Sequence, residues 1–124
     1  MGIEKFIKKV CVQTAVYWAP VAATGYGGFT FDEPVEIQVR WDEKTAVVTA
    51  LNGQEFICDV AVLVTQDLKP HGYLFLGMIN DLDSGQMEDP MTVPMAFPIV
   101  VWEKIPMIKS TREFVRKAYL QKAK

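Results

Sequence analysis

The chain has 124 residues, half of them hydrophobic and 23% charged, which is the makeup of a globular domain and not of a disordered segment. A chain of this length forms one domain, residues 1–124, and buries roughly two-thirds of its unfolded surface. The formal charge of −2 and a pI near 5.4 give no overall positive field, which argues against tight binding of DNA or RNA through phosphates.

No apolar run reaches the ~18 to 20 residues that span a bilayer. Residues 1–9 are charged and amphipathic, without the apolar core or small-residue cleavage site of a signal peptide. Position six is Phe6, where a myristoylation site carries Ser or Thr. Residues 3–9 fit one or two helical turns or an extended lead-in. Residues 10–18 predict a strand, with Val10, Val12, Thr14, Val16 and Trp18 on one face. A loop over residues 19–30 follows, carrying Pro20 and the run Gly25, Tyr26, Gly27, Gly28.

Residues 34–42 predict a second strand. Val35, Ile37, Val39 and Trp41 alternate with Glu36, Gln38, Arg40 and Asp42, the cleanest period-two pattern in the chain. Residues 45–65 then predict a hairpin turning at Asn52-Gly53, a dipeptide suited to a type I′ turn between β-branched runs. In that register Leu51 faces Gln54, Thr49 faces Phe56 and Val47 faces Cys58. Phe56, Cys58, Val60, Val62 and Val64 form an apolar face. Glu55, Ile57, Asp59 and Leu63 form a mixed face, a candidate for meeting a neighbouring subunit.

Residues 66–72 make a turn with Pro70, His71 and Gly72 at its tip, and residues 73–79 a short apolar strand. Residues 80–98 form a Pro- and Met-rich insert with prolines at 90, 94 and 98, a spacing that suits an extended insert or lid. Residues 97–104 return as a strand, broken by Pro106. At the end, Ser110 and Glu113 match a capping box, and Phe114, Val115, Ala118 and Tyr119 fall on one helical face, so a short terminal helix is favoured over an edge strand. The fold class is all-β: a small antiparallel β-barrel or sandwich of about six to seven strands with long loops.

No catalytic set stands out. The glycines at 25, 27 and 28 open no helix that would cradle a phosphate. Asp81, Asp83, Glu88 and Asp89 offer hard oxygens, but Gly85 occupies the fifth position, where a calcium loop needs a ligand; a solvated acidic turn is the simpler account. His71 is the only histidine, and the sequence alone identifies no acid–base partner for it. Cys11 and Cys58 lie in apolar strand-like runs, as buried thiols of a cytosolically made protein would. Trp18, Trp41 and Trp102 suit core packing. Tyr26, Phe29 and Phe31 beside the glycine-rich loop, and Met87, Met91 and Met95 on the insert, need a cover: either the barrel itself or a partner. Phe114 and Tyr119 join them as interface candidates. These residues imply no catalytic, cofactor-binding or metal-binding position.

The series Tyr17-Trp18, Gly25-Tyr26-Gly27-Gly28, Phe31-Asp32-Glu33-Pro34-Val35, Arg40-Trp41, Asn52-Gly53 and Gly72-Tyr73-Leu74-Phe75-Leu76-Gly77 resembles small neck proteins of tailed bacteriophages. So does the ending from Ile105-Pro106 through Phe114 to Leu120. These are head-completion, head–tail connector or stopper proteins, also called minor capsid proteins. The likeness lies in order and spacing over about residues 10–120. It implies a virion protein, assembled in the host cytoplasm, that forms a homo-oligomeric ring between portal or adaptor proteins and the tail. Packaged DNA would pass through or be retained without specific binding, and the loop at 19–30 or the insert at 80–98 would face the channel. It implies neither an enzyme nor a cofactor. The alternatives are a tail-completion or tail-terminator subunit and a monomeric β-barrel ligand-binding module.

Overall fold

A computed structural model describes residues 9–23, 29–49, 52–106 and 114–122. Within them the β-branched and aromatic runs form β1 (Gln13–Trp18), β2 (Pro20–Ala23), β3 (Phe29–Phe31), β4 (Val35–Thr49), β5 (Glu55–Val64), β6 (Tyr73–Leu76), β7 (Ala96–Pro106) and β8 (Phe114–Leu120). Six of these close into an antiparallel barrel in the order β1-β4-β5-β8-β7-β6, while β2 and β3 pair as a separate ribbon. The fold is thus the small all-β barrel that the alternating pattern predicts.

Alternation explains the interior. Ile37 and Val39 of β4 point inward with Val60, Val62 and Val64 of β5, and Ala118 and Leu120 of β8 complete that side. Trp41 and Trp102 pack partly buried against the same cluster. Tyr17 also lies in this core, and its hydroxyl accepts the Lys69 backbone N–H at 2.9 Å, tying the turn before β6 to β1. That turn is tight. Gly72 leaves no room for a side chain, because a Cβ there would sit 2.8 Å from the Trp18 carbonyl oxygen and from the Tyr17 ring.

The hairpin corrects the predicted register by one residue. Thr49 pairs with Glu55, Val48 with Phe56 and Val47 with Ile57, where Thr49 with Phe56 is expected from a two-residue turn. Leu51 lies outside the described residues. The cause is local: the Asn52 side chain accepts the Gln54 backbone N–H at 2.9 Å, and of Asn52 and Gly53 only Gly53, at φ 86°, has a positive φ. The turn is therefore a longer loop built on a side-chain-mediated bend and not type I′. A bulge between Glu43 and Ala46 shifts β4 against β5. The apolar face of β5 is as predicted, with Cys58, Val60, Val62 and Val64 all buried.

Two further expectations change. The strand predicted for residues 10–18 starts at Gln13, and Val12 is exposed. Both faces of β1 are buried: Ala15 and Tyr17 enter the barrel, while Val16 and Trp18 face outward into a second core with Leu82, Val93 and Ala96. The terminal helix is absent over residues 114–120. That segment is β8, paired with β5 on one side and β7 on the other. Closing the barrel supplies hydrogen bonds on both edges and full burial for Ala118 and Leu120, which outweighs a local helical pattern. The residues of the proposed capping box, 110–113, lie outside the described segments.

The insert is not an extended lid. It folds into a 3₁₀ turn (Ile79–Asp81), a short helix α1 (Ser84–Glu88) and a second 3₁₀ turn (Pro90–Thr92). Pro90 opens the last of these, where its missing N–H costs nothing, and Pro98 lies in β7 opposite Tyr73.

Replacing Leu120 by Ala tests the strand assignment. Loss of a fully buried side chain from a barrel strand is expected to destabilise the fold by about 3 kcal/mol in a denaturant titration, whereas a surface helix would tolerate the change.

Candidate interaction surface

Strand directions sort the connections between the barrel ends. The turn at Asn52-Gly53 and the insert at 77–95 lie at one end. The ends of β1 and β7, the starts of β4 and β8 and the turn at 65–72 lie at the other. The insert then runs along the outside of β1 and β6. Trp18 donates its indole N–H to the Met87 carbonyl oxygen at 2.9 Å, and the Ile79 N–H donates to the Glu36 carboxylate at 2.9 Å.

The predicted interface residues are not one site. Tyr26 and the side chain of Phe29 lie outside the described residues. Phe31 and Met87 pack against the second core, and the Phe31 ring meets Tyr73 edge-on at 5.5 Å. These two are partly buried on the barrel's own flank. Met91 and Met95 are exposed, at 61% and 57%. Phe114 lies beneath the Lys104 ammonium, 4.4 Å from its ring centre, with the Arg116 guanidinium at 5.5 Å. Tyr119 is half-buried on the outer face of β8 and donates to the Glu103 carboxylate at 3.2 Å; burial, and then that carboxylate, raise its phenol pKa.

The acidic residues of the insert serve its turns. Asp83 accepts the Gln86 N–H at 2.8 Å while Gln86 accepts the Asp83 N–H at 3.0 Å, a reciprocal cap for α1. Asp81 accepts the Met78 N–H and Asp89 accepts the Met91 N–H. Among the described residues no group of three or more His, Cys, Asp or Glu is placed to hold a metal ion. Cys11 and Cys58 are buried free thiols, and burial pushes both pKa values up, away from the reactive thiolate. His71 is exposed in left-handed backbone, φ 72°, and its N–H donates to the Ile99 carbonyl at 3.0 Å.

The most prominent feature is one that the candidate residues miss. β4 pairs with β1 only from Val35 to Val39, and β5 pairs with β8 only from Val60 to Val64. Beyond those limits β4 and β5 pair only with each other and leave the barrel as a two-stranded ribbon. Its two-stranded part, Ala46–Thr49 paired with Glu55–Cys58, spans about 13 Å. On one side Val47 and Ile57 stand directly opposite each other at 64% and 63% exposure. A groove of about 520 Å³ runs beside the ribbon over the outer face of the barrel; Arg40, Lys44 and Lys117 alternate there with Asp42 and Glu103. The sequence carried part of the signal, since Ile57 belongs to the mixed face; that one strand runs unbroken from Val35 to Thr49, where a strand at 34–42 and a separate hairpin arm were expected, is seen only in the structure.

At the opposite end Asp67 holds Lys104 at 3.1 Å and Arg116 at 2.7 Å, fastening the turn at 65–72 to the β7–β8 hairpin. The Arg116 hydrogen bond, and then that of Lys104, hold the Asp67 carboxyl below its ordinary range. No family model, curated protein or solved structure matches the chain.

The depressed Asp67 pKa sets a pH dependence. Its carboxylate contributes stability above the unfolded Asp pKa of about 3.9, and that contribution is lost as pH falls through the lower folded value. The difference in Tm between the parent and Asp67→Asn is therefore expected to be modest at pH 7, smaller in high salt, and to vanish near pH 2. A difference that persists at pH 2 would assign the effect to something other than charge.

Proposed function

We propose that this chain is a structural protein of a tailed-phage neck: a β-barrel subunit that joins copies of itself in a ring between portal or adaptor proteins and the tail, extending or closing the DNA channel. The observation that carries the proposal is the projecting β4–β5 ribbon with its outward Val47 and Ile57 pair. A two-stranded ribbon has marginal stability in water by itself, and an exposed apolar cross-strand pair gains by burial against another surface. In a cyclic ring each subunit presents two different surfaces to its two neighbours, so an arm reaching from a rigid barrel suits that assembly.

Sequence order supports the same reading, since the resemblance to neck proteins extends over most of the chain. Charge is compatible with it. A lumen that DNA must traverse should not grip phosphates, and the chain carries a formal charge of −2. The insert packs on the barrel flank through Trp18, so the ribbon, with its tip at Asn52-Gly53, is the better candidate for the neighbour or the channel.

The double change Val47→Lys with Ile57→Lys tests this reading. Both positions are exposed, so each change should alter stability by less than about 0.5 kcal/mol. The variant is expected to fold as a monomer, to fail to form rings with its portal or adaptor, and to yield particles that lose DNA or do not join tails. Normal rings and infectious particles from a folded variant would remove the ribbon from the interface. Absence of the chain from a cryo-EM map of the virion neck would overturn the whole reading.

A further inference from the structure

The tip of the ribbon carries a reactive pair. Asn52 and Gly53 are both exposed, and the Asn52 Oδ1 accepts the Gln54 backbone N–H at 2.9 Å. That bond folds the side chain back across the Gly53 peptide and polarises its carbonyl, which leaves Cγ electron-poor. Gly53 follows with φ 86°, and a Cβ placed on it meets no atom within 4 Å. Glycine therefore brings a backbone nitrogen without a side chain next to an activated amide, at a loop tip open to water. Among the described residues the Gly53 N–H has no hydrogen-bond acceptor.

The other asparagine of the chain, Asn80, is exposed too but differs at the nucleophile. It lies in the 3₁₀ turn Ile79–Asp81, and the residue after it, Asp81, has a charged side chain. The Asp81 N–H is already donated to the Met78 carbonyl at 3.0 Å, and the Asp81 carboxylate accepts the Met78 N–H at 2.9 Å. We propose that Asn52 is a site of spontaneous deamidation, with the Gly53 nitrogen as nucleophile and water as the only co-reactant, and that the fold leaves this reaction open at Asn52 while closing it at Asn80.

The step balances without an oxidant or a reductant. The Gly53 nitrogen gives its proton to solvent base and attacks the Asn52 Cγ, an intramolecular addition favoured by proximity. The new N–Cγ bond forms, the Cγ–Nδ2 bond breaks, and ammonia leaves with a proton taken from water. Water then opens the five-membered imide at one of its two carbonyls. Opening at Cγ gives aspartate, which keeps an acceptor for the Gln54 N–H and adds a negative charge to the tip. Opening at the main-chain carbonyl gives isoaspartate, which routes the backbone through Cβ. That route lengthens the turn by one carbon and removes the side-chain bend that sets Val48 against Phe56 and Thr49 against Glu55. The inference is independent of the proposed neck role.

Ageing the full chain in mildly alkaline buffer, followed by peptide mapping in a mass spectrometer, provides the test. Loss of the amide is expected to concentrate at Asn52, to speed up as pH rises because the attacking nitrogen must lose its proton, and to yield both aspartate and isoaspartate; the Asn52→Asp chain marks the first product and an isoaspartyl methyltransferase labels the second. Asn80 is expected to react at least about tenfold more slowly, the factor that a backbone hydrogen bond broken before attack is worth. The same ageing in denaturant separates fold from sequence: the Asn52 rate should stay within about tenfold of its native value, while the Asn80 rate should rise by about tenfold or more. A native Asn52 rate suppressed beyond that margin, or native rates alike at the two asparagines, would overturn the proposal.

Discussion

Trp18 holds the two layers of this molecule together. It occupies an outward position on β1, where a barrel strand ordinarily meets solvent, yet it is fully buried. Its indole N–H reaches the Met87 carbonyl, and a buried donor left without such a partner would cost about 1–3 kcal/mol. One side chain thus supplies both the apolar surface that the insert covers and the polar contact that fixes its position. The rest of the insert is consistent with that anchor: its aspartates are engaged with backbone N–H groups of its own turns, and Leu82 and Val93 join the second core. A segment tied down at so many points is part of the scaffold.

Closure of the barrel imposes the second constraint. Each of the six strands has two neighbours, which removes free sheet edges within the barrel. β4 is too long to obey this over its whole length. After the bulge between Glu43 and Ala46 it continues with β5 alone. The Asp67 cluster performs at the opposite end what Trp18 does on the flank, holding a loop against the barrel so that the exposed termini of β7 and β8 stay aligned.

How much of this was legible follows from what each signal measures. Alternation reports one-sided burial, so the strands at 35–42 and 54–65 and the inward row from Cys58 to Val64 could be read directly. Alternation does not say what does the burying. Val16 and Trp18 read as a core face, and only the folded chain reveals that their cover is the insert. Register needs the turn geometry, and Asn52-Gly53 misled by one residue because the Asn52 side chain bends the chain through Gln54. For residues 114–120 the apolar spacing satisfies both a helix and a strand. The deciding energy comes from β5 and β7, far away in sequence. The acidic run at 81–89 reads in sequence as a solvated turn, and the structure makes Asp83 and Asp89 the caps of α1 and of the second 3₁₀ turn. Phe31 and Met87, open in sequence to either the barrel or a partner as cover, pack partly buried against the second core.

What remains outside the two cores then carries the argument about role. The barrel interior is filled by aliphatic and aromatic side chains, and among the described residues no buried side-chain nitrogen or oxygen lacks a partner. Nothing in that interior invites a ligand. The exposed apolar surface is peripheral and divided: a cross-strand pair on the ribbon, and a pocket beside Asp32, Glu33 and Glu88 on the β1–β6 flank. A self-complementary two-fold contact could use a single patch, whereas a ring requires two distinct ones on each subunit. Two separated patches on a rigid barrel are what the proposed ring demands, and this division, more than either patch alone, is the feature on which that proposal rests.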